Sequence, residues 1–192
     1  MENAQIEGEL KLFCDNYKGI YREREYWYSP RAIIKHKNQE INFDYYTSYK
    51  QSGNVSLSSC DARIFTQIDL VKSIHFEIKN REFLDSLVNI IKRRKKLDII
   101  DADLNEKFIF SSNNNQEFQK LFTDEIIFHL KQMNEVNIFI TDQFGIWEKP
   151  YLNGEHDLAA NYSSMNYNEM ILNLKLFQLI LDQMEKLNWI KQ

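Results

Sequence analysis

Apolar residues recur at helical spacing in the first part of the chain. The spacing over residues 6–17 predicts an amphipathic helix, and Gly19 is expected to end it as a left-handed cap. A second apolar stripe covers residues 83–91, and Asn80 is a suitable N-cap for it, because its side-chain oxygen can accept an unpaired N–H of the first turn.

The second half of the chain carries further helix starts. Asn114 and Asn166 are each followed by a Glu three residues later, which resembles a capping box. Thr123 suggests a second N-cap and therefore a break after the helix that begins at Asn114. The helix that begins at Asn166 is expected to continue to about Asn188, with an apolar face wider than a single stripe.

Short segments that are apolar, or that alternate between apolar and polar residues with a period of two, predict strands. These segments are residues 32–37, 40–47, 63–70, 76–78, 108–110 and 136–140. The Ser/Gly/Asn-rich segment from Ser48 to Ser59 is expected to form a mobile loop. Residues 146–151 are expected to return as the hairpin partner of the strand at 136–140.

Helices and hairpin-like strands in this order predict an α+β fold. We expect a largely antiparallel sheet with helices packed on one face and a long apolar C-terminal helix. A dinucleotide-binding parallel sheet is disfavoured because no Gly-rich turn joins a strand to a helix. We expect one domain over 1–192, with an N-terminal helix in 1–19, a strand-rich part in 20–79 and a mixed part in 80–192.

Composition indicates a cytoplasmic protein that binds neither membrane nor nucleic acid. The net charge is −4, and no segment is long and apolar enough to span a bilayer. The basic run from Lys92 to Lys96 could bind phosphate or nucleic acid, but its position at the end of a predicted helix, where cations oppose the helix dipole, already explains it. Cys14 and Cys60 lack metal-ligand spacing and are expected to be buried thiols in a reducing compartment. No cofactor or metal is predicted.

One group of residues suggests hydrolytic chemistry. Metal-dependent nucleases place an Asp and an E-x-K motif on adjacent strands, and Asp69 with Glu77 and Lys79 offers these residue types. The alternative is a solvated strand face with a cross-strand ion pair. His156, between two acids in an expected loop, is a further candidate base or ligand, although histidine in such a loop is commonly only solvated.

A second group is aromatic and lies on both sides of residues 32–37. It consists of Tyr26, Trp27, Tyr28, Tyr45, Tyr46 and Tyr49. Clustered Tyr and Trp can line a ligand groove or a protein interface. The same alternation also fits a core face and a solvated face of a strand. This cluster is the recognition surface that the sequence favours.

Residues Phe76 to Phe122 resemble a family of uncharacterised bacterial domains of unknown function. The resemblance rests on FEIKNREFLDSLVNII, then LDII, then LNEKFIFSSNNNQEFQKLF. It covers about a quarter of the chain, departs from the family at Leu104-Asn105, and lacks the membrane-spanning helices of some members. It implies an α+β fold and a cytoplasmic bacterial origin, and it supplies no catalytic residues.

These observations lead to two functional hypotheses. The first is a non-enzymatic binding or protein-interaction domain, including one that neutralises a partner protein; a homodimer that buries Leu172, Leu176 and Leu179 would explain the wide apolar face of the last helix. The second is a metal-dependent hydrolase or nuclease that uses Asp69 with Glu77 and Lys79. The missing catalytic motifs favour the first.

Overall fold

The computed structural model describes residues 3–25, 29–52, 55–81, 96–97, 101–142, 155–162 and 166–191, without the side chains of 3–4, 46–52, 55–61 and 96–97. Its strands are β1 (Ile20–Arg22), β2 (Arg31–His36), β3 (Gln39–Ser52), β4 (Val55–Asp69), β5 (Phe76–Asn80), β6 (Lys96–Leu97), β7 (Phe108–Ser112), β8 (Asn137–Thr141) and β9 (Glu155–Tyr162). Its helices are α1 (Asn3–Tyr17), α2 (Ala102–Lys107), α3 (Asn115–Gln119), α4 (Asp124–Gln132) and α5 (Tyr167–Lys186).

The nine described strands form one sheet in the order β1-β2-β3-β4-β9-β8-β5-β7-β6. Every described neighbouring pair is antiparallel. The hairpin of β8 and β9 therefore lies between β4 and β5, which follow one another in the chain. The predicted α+β fold with a largely antiparallel sheet is confirmed.

A single hydrophobic core covers one face of this sheet. Cross-strand partners on that face are apolar along the whole width of the sheet, for example Phe43, Ile64, Ala160, Ile138, Ile78 and Phe110. All five described helices add buried side chains to this core, which includes residues from Ile6 to Ile190. α2 contributes only Leu104, and α3 contributes only Phe118. Helices thus pack on one face, as the sequence predicts.

One predicted cap is placed differently. The left-handed residue after α1 is Lys18, with φ 52°, and the N–H of Gly19 donates to the carbonyl of Cys14 at 2.8 Å. Asn80 is the last residue of β5; its side chain donates to the carbonyl of Asn134 and accepts from the N–H of Val136. The predicted helix at 83–91 lies outside the described residues, as do residues 92–95 of the basic run.

Other caps form as the sequence predicts. Asn114 and Thr123 each accept a backbone N–H of the first turn of α3 and α4. Asn166 and Glu169 form a complete capping box at the start of α5, with N···O distances of 3.1 and 2.8 Å. Within the described residues, no helix combines the length and the apolar composition needed to cross a membrane.

The wide apolar face of α5 is buried within the chain itself. Leu176 is fully buried, and Leu172 and Leu179 are partly buried against the same core. The helix contacts both α1 and α4 as well as the core of the sheet. Its apolarity is therefore explained without a second copy of the chain.

Two segments that the sequence presents as loops are strands. The described residues of Ser48 to Ser59, the predicted mobile loop, form the end of β3 and the beginning of β4, paired as far as Ser52 and Val55. Glu155 to Asp157, also expected in a loop, begin β9. This strand is the partner of β8, whereas the predicted partner at 146–151 lies outside the described residues.

Candidate binding arm and its base

β3 and β4 extend well beyond the strands that flank them. β2 pairs with β3 only up to Asp44, and β9 pairs with β4 only from Ala62 onward. Past these points, residues 46–52 and 55–61 continue as a two-stranded ribbon of seven residue pairs, from Tyr46 with Asp61 to Ser52 with Val55. We call this ribbon the arm; at about 3.3 Å per residue it is roughly 23 Å long.

The arm has two strand edges that no other described strand pairs with. Each edge of an antiparallel ribbon presents alternate backbone N–H and C=O groups outward. An extended segment of another chain can satisfy such groups by adding as a further strand. The arm therefore offers a binding chemistry that depends on the backbone and needs no catalytic side chain.

The predicted aromatic cluster is divided between the arm and its surroundings. Tyr46 and Tyr49 belong to the arm, at the register positions opposite Asp61 and Ser58. Tyr45 stands at the base of the arm and is buried in the core, so it is not part of a recognition surface. The remaining members, residues 26–28, lie outside the described residues.

A buried ion cluster lies at the base of the arm, on the sheet face opposite the helices. Asp44 of β3 is only 3% exposed. Its carboxylate accepts hydrogen bonds from Nε and Nη2 of Arg31 on β2, at 3.1 and 2.7 Å. It also accepts from Nε and Nη2 of Arg63 on β4, at 3.0 and 2.9 Å. We call these three residues the base triad.

The aromatic ring of Phe65 packs against both arginines of the base triad. The guanidinium carbons of Arg31 and Arg63 lie 4.8 and 4.2 Å from the centre of its ring. A guanidinium over an aromatic face is attracted by the ring quadrupole and is held flat. The triad therefore joins β2, β3 and β4 in the last row of residues that includes all three strands before the arm begins.

The candidate hydrolytic residues are not brought together. Two strands, β9 and β8, separate β4, which carries Asp69, from β5, which carries Glu77 and Lys79. Three strand spacings amount to roughly 14 Å, beyond the reach of one metal ion. Asp69 instead contacts Lys191 of the C-terminal segment, at 3.0 Å between Oδ2 and Nζ.

His156 has a neighbour that its sequence spacing does not reveal. It lies on β9 opposite Ile68, and its ring centre is 5.4 Å from that of His75 in an edge-to-face arrangement. Paired imidazoles can begin a transition-metal site. In the part of the chain that the structure describes, however, no group of three His, Cys, Asp or Glu side chains could hold a metal ion.

A small cavity of about 40 Å³ lies between the end of α4 and the start of α5. Its lining includes Tyr162, whose hydroxyl donates to Oδ1 of Asn173, a residue that is 1% exposed. Burial, followed by the nearby carboxylates of Glu135 and Glu169, raises the pKa of Tyr162, so the phenol stays protonated. A volume of this size holds about one or two water molecules, too little for an organic substrate.

The sequence contains signals for the base triad. Arg31, Asp44 and Arg63 fall on the polar side of three strands whose other side is apolar, which is where cross-strand ion pairs form. Their contact depends on register, which the sequence alone does not define. The arm has a weaker signal, since its residues are Ser-rich and lack a marked apolar alternation.

Comparisons with known proteins bear on the fold. The chain matches no protein-family model and no curated protein sequence. A solved structure does match: the crystal structure of the mycobacterial trehalose monomycolate transport factor A, TtfA, with a TM-score of 0.55 and 8% sequence identity. The match covers 97% of this chain and 98% of that one. Over nearly its whole length, the chain is therefore similar in fold to this transport factor.

Proposed function

We propose that the protein is a non-enzymatic, cytoplasmic bacterial protein-interaction domain that binds a partner protein through the arm. The observation that carries this proposal is the extension of β3 and β4 by seven residue pairs beyond their flanking strands. An isolated two-stranded ribbon is only marginally stable in water, because both edges and both faces remain solvated. A third strand supplied by a partner would remove that weakness.

The binding mode we propose is strand addition. An extended segment of the partner lies along one edge of the arm, and backbone hydrogen bonds provide most of the affinity. Side chains at alternate positions of the captured segment then contribute specificity. Neutralisation of a partner follows if the segment that the arm captures is one that the partner needs for its own activity.

The proposed partner is a different protein. The sequence favours a homodimer only through the wide apolar face of α5, and Leu176 on that helix is fully buried within the chain. A reducing compartment agrees with the buried free thiol of Cys14. TtfA adds no partner to this proposal, since a likeness at 8% identity extends to the fold alone.

The proposal is tested by shortening the arm. Tyr45 and Ala62 face one another across the ribbon, so residues 46–61 can be replaced by an Asn-Gly turn that closes the hairpin at its base. The wild-type and shortened proteins are purified natively from a bacterial lysate, and co-purifying proteins are identified by mass spectrometry. Amide hydrogen exchange of the isolated complex then locates the contact.

We expect a partner that co-purifies with the wild type, protects the arm from exchange, and is lost with the shortened arm. The control is Phe128→Ser, which changes an exposed apolar side chain on α4 (62% exposed) and leaves the arm intact. Retention of the same partner by the shortened protein would refute the proposal, provided that circular dichroism shows its fold to be intact. Protection on α4 in place of the arm would also refute it.

A further inference from the structure

We infer that the base triad fixes the direction in which the arm leaves the sheet, with Asp44 as its positioning residue. The biological meaning of this inference rests on the proposed binding role of the arm, but its geometry does not. The triad occupies the row in which Arg31, Asp44 and Arg63 stand side by side on β2, β3 and β4. It is the last complete row before the arm.

The triad lies where the ribbon of β3 and β4 loses the support of its neighbouring strands. Up to Asp44 and Arg63, the ribbon of β3 and β4 is flanked by β2 on one side and by β9 on the other. One residue pair later, Tyr45 with Ala62, β2 no longer contributes. Any bending of the arm relative to the sheet must therefore take place at or just beyond the triad.

The bonding within the triad resists that bending. Four N–H···O hydrogen bonds converge on one carboxylate, and two of them come from each neighbouring strand. Arg63 donates through Nε to Oδ1 and through Nη2 to Oδ2, a planar fork that constrains direction as well as distance. Both donors of Arg31 converge on Oδ2. Because the carboxylate is 3% exposed, water cannot readily replace these donors.

The ring of Phe65 restricts the orientation of both guanidinium groups. Each guanidinium lies against this ring and also donates to the carboxylate of Asp44. A twist of β3 against β4 would move Asp44 away from Arg63 and break the hydrogen bonds between them. Phe65 and Asp44 thus both resist twisting of the ribbon. The arm is therefore held in one orientation before a partner binds. Pre-ordering of this kind reduces the entropy lost on binding.

The inference is tested on the free protein by amide hydrogen exchange. In Asp44→Asn, the side chain keeps its size but loses its charge and one acceptor oxygen. We expect exchange of the amides at residues 46–61 to accelerate by about tenfold or more relative to wild type, and the acceleration of the β8 amides to stay within about twofold. Arg63→Lys keeps the positive charge and loses the fork, and we expect an intermediate acceleration confined to the arm.

The matched control is Glu40→Gln, which removes an exposed carboxylate from the same strand, four residues before Asp44. It should leave exchange in the arm unchanged. If Asp44→Asn accelerates the β8 amides as much as the arm, or leaves the arm unchanged, the inference is overturned. Should Asp44→Asn fail to fold, Arg63→Lys decides alone by the same criterion. Since no partner enters this experiment, its failure is distinguishable from the failure of the binding proposal.

Discussion

Nε2 of His36 lies 2.8 Å from Oδ1 of Asp182, and this contact joins the turn between β2 and β3 to the C-terminal helix. Lys37 in the same turn reaches Asp182 at 2.5 Å and Glu185 at 2.7 Å. Burial alone would raise the pKa of Asp182, but the hydrogen bonds from Lys37 and His36 together outweigh it and hold that pKa below its usual value.

This contact predicts a pH-dependent contribution to stability. A carboxylate with a lowered folded-state pKa stabilises the fold above its ordinary pKa and loses that contribution as the pH falls through the folded value. Asp182 is 43% exposed, so we expect Asp182→Asn to reduce the free energy of unfolding at pH 7 by only about 0.5–1 kcal/mol. Urea denaturation over a series of pH values checks this: the difference from wild type should be full at pH 7 and should shrink as the pH falls below the ordinary pKa of Asp. A difference that stays constant as the pH falls would contradict the assignment.

Glu117 predicts a second acid transition, at a lower pH than that of an ordinary Glu. Hydrogen bonds from Lys120 first, then from Trp189 and Lys72, lower its pKa to about 2. Its stabilising effect is therefore complete above the ordinary Glu pKa and is lost as the pH falls through about 2. The indole N–H of Trp189, which donates to Glu117 at 3.3 Å, should report this in an NMR titration with a midpoint near that value. In Glu117→Gln the titration should disappear; a midpoint near 4 in the wild type would contradict the arrangement.

The end of α1 predicts opposite effects at two adjacent positions. A Cβ on Gly19 would collide with Cδ1 of Ile34 and lie 2.9 Å from the carbonyl oxygen of Ile33. We expect Gly19→Ala to destabilise the protein by about 1–3 kcal/mol. Lys18→Gly, at the position with φ 52°, should leave stability unchanged or raise it by up to about 1 kcal/mol. Chemical denaturation distinguishes these effects, and equal effects would show that the end of α1 is misassigned.

The burial of Leu176 separates a core role from a dimer role. We expect Leu176→Ala to reduce the free energy of unfolding by about 2–5 kcal/mol. Light scattering should show the same molecular mass for the variant and the wild type at micromolar concentration. Leu12→Ala, at a leucine that is 50% exposed, is the matched control and should cost less than about 0.5 kcal/mol. A variant that dissociates a wild-type dimer would restore the homodimer hypothesis.

The separation of Asp69 from Glu77 predicts that the chain has no nuclease activity dependent on both residues. We expect wild type, Asp69→Asn and Glu77→Gln to give the same background when incubated with DNA and Mg²⁺. The measurement is cleavage of a labelled duplex followed on a gel. Cleavage by wild type that both substitutions abolish would require β4 and β5 to approach one another and would overturn the sheet order.

Local patterns in the sequence predict the elements whose stability is local. The capping box of Asn166 and Glu169 and the alternation of Phe76, Glu77 and Ile78 depend on neighbouring residues, and both form as predicted. The Ser-rich arm and β9 are not predicted from local patterns, because backbone pairing with neighbouring strands holds their residues in strands. In β9, flanked on both sides, the small residues Ala159 and Ala160 are buried without the large apolar alternation that marks a strand.

Relationships across the sheet require the register and order of the strands. The carboxylate of Asp44 meets Arg63, and the ring of His75 meets that of His156, over 19 and 81 positions of sequence separation. The Asp69–Glu77–Lys79 hypothesis fails to gain support for the same reason: two later strands lie between residues that are close in the chain. Hydrophobic spacing carries no information about such an insertion.

The insertion of β8 and β9 between β4 and β5 also affects how the chain can be made. During synthesis, β4 and β5 emerge long before the hairpin that must separate them. Until Tyr162 has left the ribosome, both strands present open edges in the middle of the future sheet, where they can pair wrongly with each other or with another nascent chain. Productive folding therefore has to wait for the last quarter or so of the polypeptide, and chaperones that shield strand edges have their greatest effect in this interval.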